Sequence, residues 1–264
     1  LQQDGRKPLF LYVNDPASQR PDPYAEGVRY FRGGQVYEVG ELHLDSNETL
    51  FIEAGAVVRG CLRATDADGV RVAGPGVFDG GYYSRPRDRA RSFVFDRCRG
   101  LRIQDTVMIN PSAWMCVLQL CDEVDIHNLR QIGEGGGSDG IDILSCRNVR
   151  IRNCCQRNGD DCIAVKAVKD ESLRPGSDRN VSDVSVEGCL FLNDGGGNAM
   201  EIGHELRCDE VRDIAFRNCD VLGVHGFGAA FSINNGEWAT VSNVLWEDIR
   251  VEHYYDALIN LRVI

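Results

Sequence analysis

Three carboxylates have a spacing that could do chemistry. Asp139 lies in the run Gly137-Ser138-Asp139-Gly140-Ile141-Asp142, and the pair Asp160-Asp161 lies in Asn158-Gly159-Asp160-Asp161-Cys162. Asp139 and Asp160 are 21 residues apart, close to one period of a repeat that runs through the chain. Residues one repeat apart become neighbours when repeats stack. Three acids in one patch repel one another, so at least one pKa should rise. Acid-base cleavage of a glycosidic bond needs this, because one carboxyl must stay protonated while a charged partner activates water. Within a regular strand Asp160 and Asp161 would face opposite sides, one of them into an apolar core. Gly159 is therefore expected to break the strand and turn both acids outward.

The elements that must position these acids are short strands. A pair of apolar residues two positions apart recurs at Leu50-Phe51-Ile52, Val70-Arg71-Val72, Leu101-Arg102-Ile103 and Val124-Asp125-Ile126. The pattern continues at Val149-Arg150-Ile151, Val184-Ser185-Val186, Ile214-Ala215-Phe216 and Val244-Leu245-Trp246. The successive spacings are 20, 31, 23, 25, 35, 30 and 30 residues. A period of two marks strands with one face in and one face out. A sandwich would place strands every 8 to 12 residues or so, so the longer period points to a parallel β-solenoid. Corners such as Arg152-Asn153-Cys154, Glu187-Gly188-Cys189 and Arg217-Asn218-Cys219 supply the residues that tight bends require.

Residues 1–40 read differently. Lys7–Val13 is strand-like, Pro16–Pro23 is a loop, and Val28–Phe31 and Gln35–Val39 flank a Gly33-Gly34 turn. They are expected to form a leading cap, or the end of an N-terminal β-sandwich, before a helical domain over 41–264. The last strand-like run, Ala257–Ile264, stops without a cap, so a further C-terminal coil is expected.

Composition bounds the partners. A net charge of −11 argues against nucleic acid. No apolar run approaches a membrane span. No signal peptide is visible, yet Leu1 is not an initiator Met and leaves room for a removed leader. The eleven cysteines contain no CxxC pair, which disfavours a zinc ribbon. Cys154, Cys189 and Cys219 recur at one repeat position and are expected as small core residues stacked inside the solenoid.

With these features in place, the chain resembles the pectinase-type β-helix hydrolases, glycoside hydrolase family 28, whose best-known members are polygalacturonases. Gly159-Asp160-Asp161-Cys162 matches that family's Gly-Asp-Asp-Cys motif, and Gly137-Ser138-Asp139 is similar to its Asn-Thr-Asp. Gly74-Pro75-Gly76-Val77-Phe78-Asp79-Gly80 is similar to its early Gly-x-Gly-x-x-Asp-Gly turn. The resemblance implies an all-β, right-handed parallel β-helix (single-stranded, pectin-lyase-like) and an inverting hydrolase of α-linked glycan. It implies Asp160 as general acid, with Asp139 and Asp161 holding and deprotonating water. No metal or cofactor is required, and a polysaccharide substrate suggests an extracellular or periplasmic setting.

Two departures concern substrate. The family's His-Gly position holds Asn198, and its Arg-Ile-Lys has no match in Ala229-Ala230-Phe231-Ser232-Ile233-Asn234. The entry segment and the Asn198 region look closer to the dextranase-type family 49, which cuts neutral α-glucan. A uronate lyase using Ca²⁺ and a basic residue, or a non-catalytic carbohydrate-binding solenoid, would be the other classes. Candidate substrate-binding residues are Asn198, Glu201, His204, Lys166 and Trp114. Each has a bland reading: His204 as an exposed corner, Lys166 as a solvated strand residue, Trp114 as core. Asp142 either binds the corner backbone or joins the site. Tyr82 and Tyr83 are candidate cleft walls, while His225 and His253 are expected to be structural.

Overall fold

A strand with one apolar face cannot bury it alone, and this chain solves the problem by stacking copies. The computed structural model describes residues 10–13, 20–83, 90–167 and 180–263. Among these, every strand pairs in parallel, and the helical element is a 3-10 turn at Gly80–Tyr83. One nine-stranded sheet begins at Val28–Phe31 and ends at Thr240–Glu247. A second, sixteen-stranded sheet bends into two faces. Its hinge is the strand Val57–Thr65, which pairs with Val77–Asp79 on one face and Phe93–Asp96 on the other. The result is a right-handed parallel β-helix with three faces.

The register explains the sequence repeat. Leu50, Val72, Ile103, Ile126, Ile151, Val186, Phe216 and Trp246 form one continuous inward column. Leu50 therefore pairs with Val72 and not with Val70, so the first copy sits one apolar dyad out of step with the sequence repeat. Both dyad positions are apolar and inward-facing, and the sequence alone cannot choose between them. Core rings interlock as well: Phe78 and Phe93 meet edge to face, with centroids 4.6 Å apart. Such pairs contribute about 0.5–1.5 kcal/mol beyond the area they bury.

The corners behave as expected. Asn153, Asn218 and Asp248 have positive φ, which small polar side chains tolerate by bonding locally. All eleven cysteines are free thiols, buried except for the half-buried Cys155. The backbone N–H of Cys121 donates to Cys146 Sγ at 3.2 Å, one rung of a thiol ladder inside the solenoid.

A strand runs across residue 40. Val28–Phe31 pairs in register with Thr49–Ile52, and Val36–His43 pairs with Val57–Thr65. These strands are the first coil of the helix, and residue 40 lies inside one of them. The period was hidden because Val36–His43 alternates half-buried and exposed residues, with little apolar signal. Of the strand expected over Lys7–Val13, Phe10–Val13 form no strand, and residues 7–9 lie outside the described residues.

Candidate active site

The turns that join the second face to the third carry the acids. The strand Cys155–Asn158 stops just before Gly159, and the next begins at Ile163. Gly159 has a steric reason to be glycine, since a Cβ there would lie 2.4 Å from Gly135 O. Consecutive coils are tied through these turns. Met115 N–H donates to Asp139 O, Gly140 N–H to Asp161 O, and Cys162 N–H to Asn198 O, at 2.8, 2.8 and 2.9 Å. Asp139, Asp161 and Asn198 thus stack in one row, one per coil.

Buried amides hold the row from inside. Gln131 Nε2 donates to Gly140 O at 2.8 Å, and Gln156 Nε2 donates to Cys162 O at 3.0 Å. Asn158 Nδ2 reaches Ser138 O, and Asn193 Nδ2 reaches the carbonyls of Asp160 and Gly196. Each such bond satisfies a turn carbonyl that would be costly to bury unpaired.

The two adjacent carboxylates converge. Asp160 Oδ2 accepts from Gly137 N–H at 2.8 Å, and Oδ1 accepts from Asp161 N–H at 3.1 Å. Asp161 Oδ1 accepts from the backbone N–H of Asn198 at 2.7 Å and from its Nδ2 at 3.0 Å. A methyl group at Gly197 would meet Asp160 Oδ1 at 2.5 Å and Asp161 Oδ1 at 2.7 Å. The two oxygens therefore lie no more than about 5 Å apart. The acids do not all face solvent as expected: Asp160 is half-buried, whereas Asp139 and Asp161 are only 3% and 9% exposed.

Lys166 is the counter-ion of the buried pair. Its Nζ lies 2.9 Å from Asp139 Oδ2 and 3.0 Å from Asp142 Oδ1. Burial works against its charge, but Asp142, Asp139 and Asp161 outweigh it and hold its pKa above the ordinary value. Burial also drives the acids upward. Asp142 rises well above its usual range and Asp139 rises too, in each case with Lys166 opposing. Asp161 is pushed up to about 7 by burial, with Lys166 opposing and Asp139 adding to the rise. Glu201 reaches about 8 through burial and then the charge of Asp161. Among the described residues no group of three or more His, Cys, Asp or Glu is arranged to hold a metal ion. Lys166 occupies the place where a cation would neutralise Asp139 and Asp142.

The family model for glycosyl hydrolases family 28 matches residues 55–259. The chain belongs to that family. A probable polygalacturonase of Arabidopsis thaliana is 26% identical over 168 residues, covering 60% of this chain and 33% of the relative. A probable endopolygalacturonase D of Neosartorya fischeri is 31% identical over 106 residues, 34% of this chain and 22% of the relative. The chain thus spans about a third or less of these curated relatives. Among solved structures, a hyperthermoactive exopolygalacturonase from Thermotoga maritima has a TM-score of 0.68 at 18% identity, covering 89% of this chain and 68% of that one. A polygalacturonase from Erwinia carotovora gives 0.58 at 17%, covering 87% and 85%. At these identities the likeness is one of fold.

The remaining candidates divide within this family 28 chain. Asn198 lies in the row and fixes Asp161, its own Oδ1 accepting from Ala229 N–H at 2.8 Å. Glu201 is 2% exposed and stands across Ala164 from Asp142 in the strand register. Lys166 is buried, so the solvated-strand reading of it is wrong: the outward face of its strand is covered. Trp114 is half-buried, with Lys166 Nζ 4.2 Å from its ring centre and Arg91 at the same distance. It holds two cations and is neither core nor a bare platform. His204 is exposed at the far end of Met200–Leu206, and no hydrogen bond or ion pair joins its ring to the acids among the described residues. His225 and His253 stack on each other at 5.1 Å. The side chains of Tyr82 and Tyr83 lie outside the described residues. Sequence reasoning missed the amide ladder and Gly197. One available signal was Asn158 and Asn193, each ending its strand at the same register.

Proposed function

We propose that the protein is a polygalacturonase-like glycoside hydrolase of α-linked glycan, acting by inversion with three aspartates. Asp160, the half-exposed acid, is positioned to protonate the glycosidic oxygen of a bound chain. Asp139 and Asp161 lie behind it and hold the attacking water. Asp139 Oδ2 is committed to Lys166, while Oδ1 is buried without a hydrogen-bond donor, an acceptor left for a water enclosed under a bound sugar. Asp161 is the base that must be ionised to take the water proton. The observation that carries this reading is the convergence of Asp160 and Asp161 on Gly197, with Asp139 in the neighbouring coil of the same row.

The upper limit of about 5 Å between Asp160 Oδ1 and Asp161 Oδ1 leaves room for a second reading. Carboxyls roughly 5–5.5 Å apart suit a retaining mechanism, with one as nucleophile, whereas inversion ordinarily needs roughly 6.5–9.5 Å. Inversion is therefore assigned to water held by Asp139 and Asp161 together, and product stereochemistry decides between the two. Family membership favours pectic material. A neutral α-glucan is supported by the strand Ala229–Asn235, which carries no basic residue beside the row. An extracellular or periplasmic location follows from either substrate.

The test is a screen of α-linked polysaccharides and oligosaccharides with reducing-end detection, alongside Asp160→Asn. New reducing ends, lost in the variant, support hydrolysis. Unsaturated products abolished by a chelator would replace it with a lyase. Binding without turnover would leave a carbohydrate-binding solenoid.

A further inference from the structure

Among the described residues, Arg91 is a cation near the row that no acid claims. Many arginines of this acidic chain are paired, such as Arg97 with Asp66, Arg152 with Asp125 and Arg157 with Asp194. Among the described residues no carboxylate pairs with Arg91. Its backbone is nevertheless fixed: Arg63 Nη1 donates to Arg91 O at 2.9 Å, and Ser112 Oγ donates to Ala90 O at 2.8 Å.

The guanidinium sits over the Trp114 ring, 4.2 Å from its centre. A guanidinium held over a ring face keeps N–H donors with which it can engage a two-oxygen acceptor. Arg91, Trp114, Ser112, Gly136 and Gly137 line a pocket of about 190 Å³. That pocket adjoins the acids, because Gly137 N–H is bonded to Asp160 Oδ2. The other nearby cation, Lys166, is taken up by Asp139 and Asp142. Among the described residues lining this pocket, Arg91 is the cation without an acid partner.

The geometry points to Arg91 as a specificity residue: over Trp114 it forms a pocket for one anionic substituent, a carboxylate or a sulfate ester, on a sugar ring bound next to Asp160. This inference rests on the hydrolase reading only for the sugar being substrate. The cation reaches the row from the Trp114 side, opposite the strand Ala229–Asn235, where the family's basic motif is missing. A substrate with one acidic group beside the scissile bond would satisfy both observations.

The experiment is calorimetric binding to the Asp160→Asn protein, with and without Arg91→Gln or Arg91→Lys. The probes are unesterified tri-galacturonate, its methyl ester and a sulfated galactan trisaccharide. One acidic probe should bind at least about tenfold more tightly than the ester, as expected for a charge-assisted forked contact. Which acid binds identifies carboxylate or sulfate. Arg91→Gln should erase the preference, and Arg91→Lys should retain part of it, at an unchanged melting temperature. Equal binding of acid and ester, binding of none of the probes, or equal weakening of all probes by Arg91→Gln would overturn the assignment. If the unsubstituted protein cuts none of these glycans while the Arg91-dependent preference persists, the hydrolase reading fails and the pocket stands.

Discussion

Replacing Gly197 with alanine should cripple the site while leaving the fold intact. The new methyl group would lie 2.5 Å from Asp160 Oδ1, 2.6 Å from Asp161 N and 2.7 Å from Asp161 Oδ1. Real contacts of a methyl carbon are much longer, so both carboxylates must move by about 0.5–1 Å. A misplacement on that scale costs roughly tenfold to a hundredfold in rate. Gly197 also has φ of +74°, where an L-residue adds about 1–2 kcal/mol of strain. Gly196→Ala is the control, because a methyl there meets nothing within 4 Å and the backbone is not in the left-handed region. Steady-state kinetics and thermal melts of both variants, on whichever glycan the screen identifies, give the comparison. Gly197→Ala should lose kcat with a modest drop in melting temperature, and Gly196→Ala should match the unsubstituted protein. Full kcat in Gly197→Ala would refute the idea that the reacting groups converge on this point.

Asp160→Asn, Asp139→Asn and Asp161→Asn should each lower kcat by about 10²–10⁴-fold, the range for removing a positioned proton-transfer group; single-turnover rates on purified variants check this. Because Asp161 titrates at about 7 and must be ionised as base, kcat/KM should fall as pH drops through neutrality, and a profile flat from pH 5 to 8 or so would count against the assignment. Asp161 and Glu201 are raised in the folded state, so the native protein binds more protons than the unfolded chain between the ordinary carboxylate range and about 8. Stability should therefore decline as pH rises through that window, and Glu201→Gln should flatten the decline in melting temperature. Lys166→Met leaves Asp139 and Asp142 buried without their counter-ion and should cost about 3–5 kcal/mol in denaturant unfolding, as for other broken buried pairs.

Much of this was written locally in the chain. Alternating apolar pairs such as Val149 and Ile151 betray strands, because one inward face needs every second residue apolar. Asn153 and Asn218 betray corners because few residues tolerate positive φ. Asp160-Asp161 was legible because Gly159 breaks the strand beside them. What the sequence concealed depends on depth and register. Asp139 and Asp161 look identical to Asp160 as letters, yet their burial follows from stacking between coils. Lys166 reads as an ordinary outward strand residue until Asp139 and Asp142 are brought beneath its amine. Arg91 is separated from Asp160 by two intervening coils of chain and has no motif of its own, so only the stack shows that it borders the same row.

Hydrolysis with Asp160 as acid and water held by Asp139 and Asp161 fixes the configuration of the first product. Proton NMR of the anomeric signals during the first minutes of cleavage of an α-linked oligosaccharide tests it most directly. The β-anomer should appear first and convert slowly to the equilibrium mixture, with no signal from Asp160→Asn under the same conditions. An α-anomer formed first would mean a covalent intermediate at the close Asp160-Asp161 pair, and cleavage undiminished in Asp160→Asn would contradict the account.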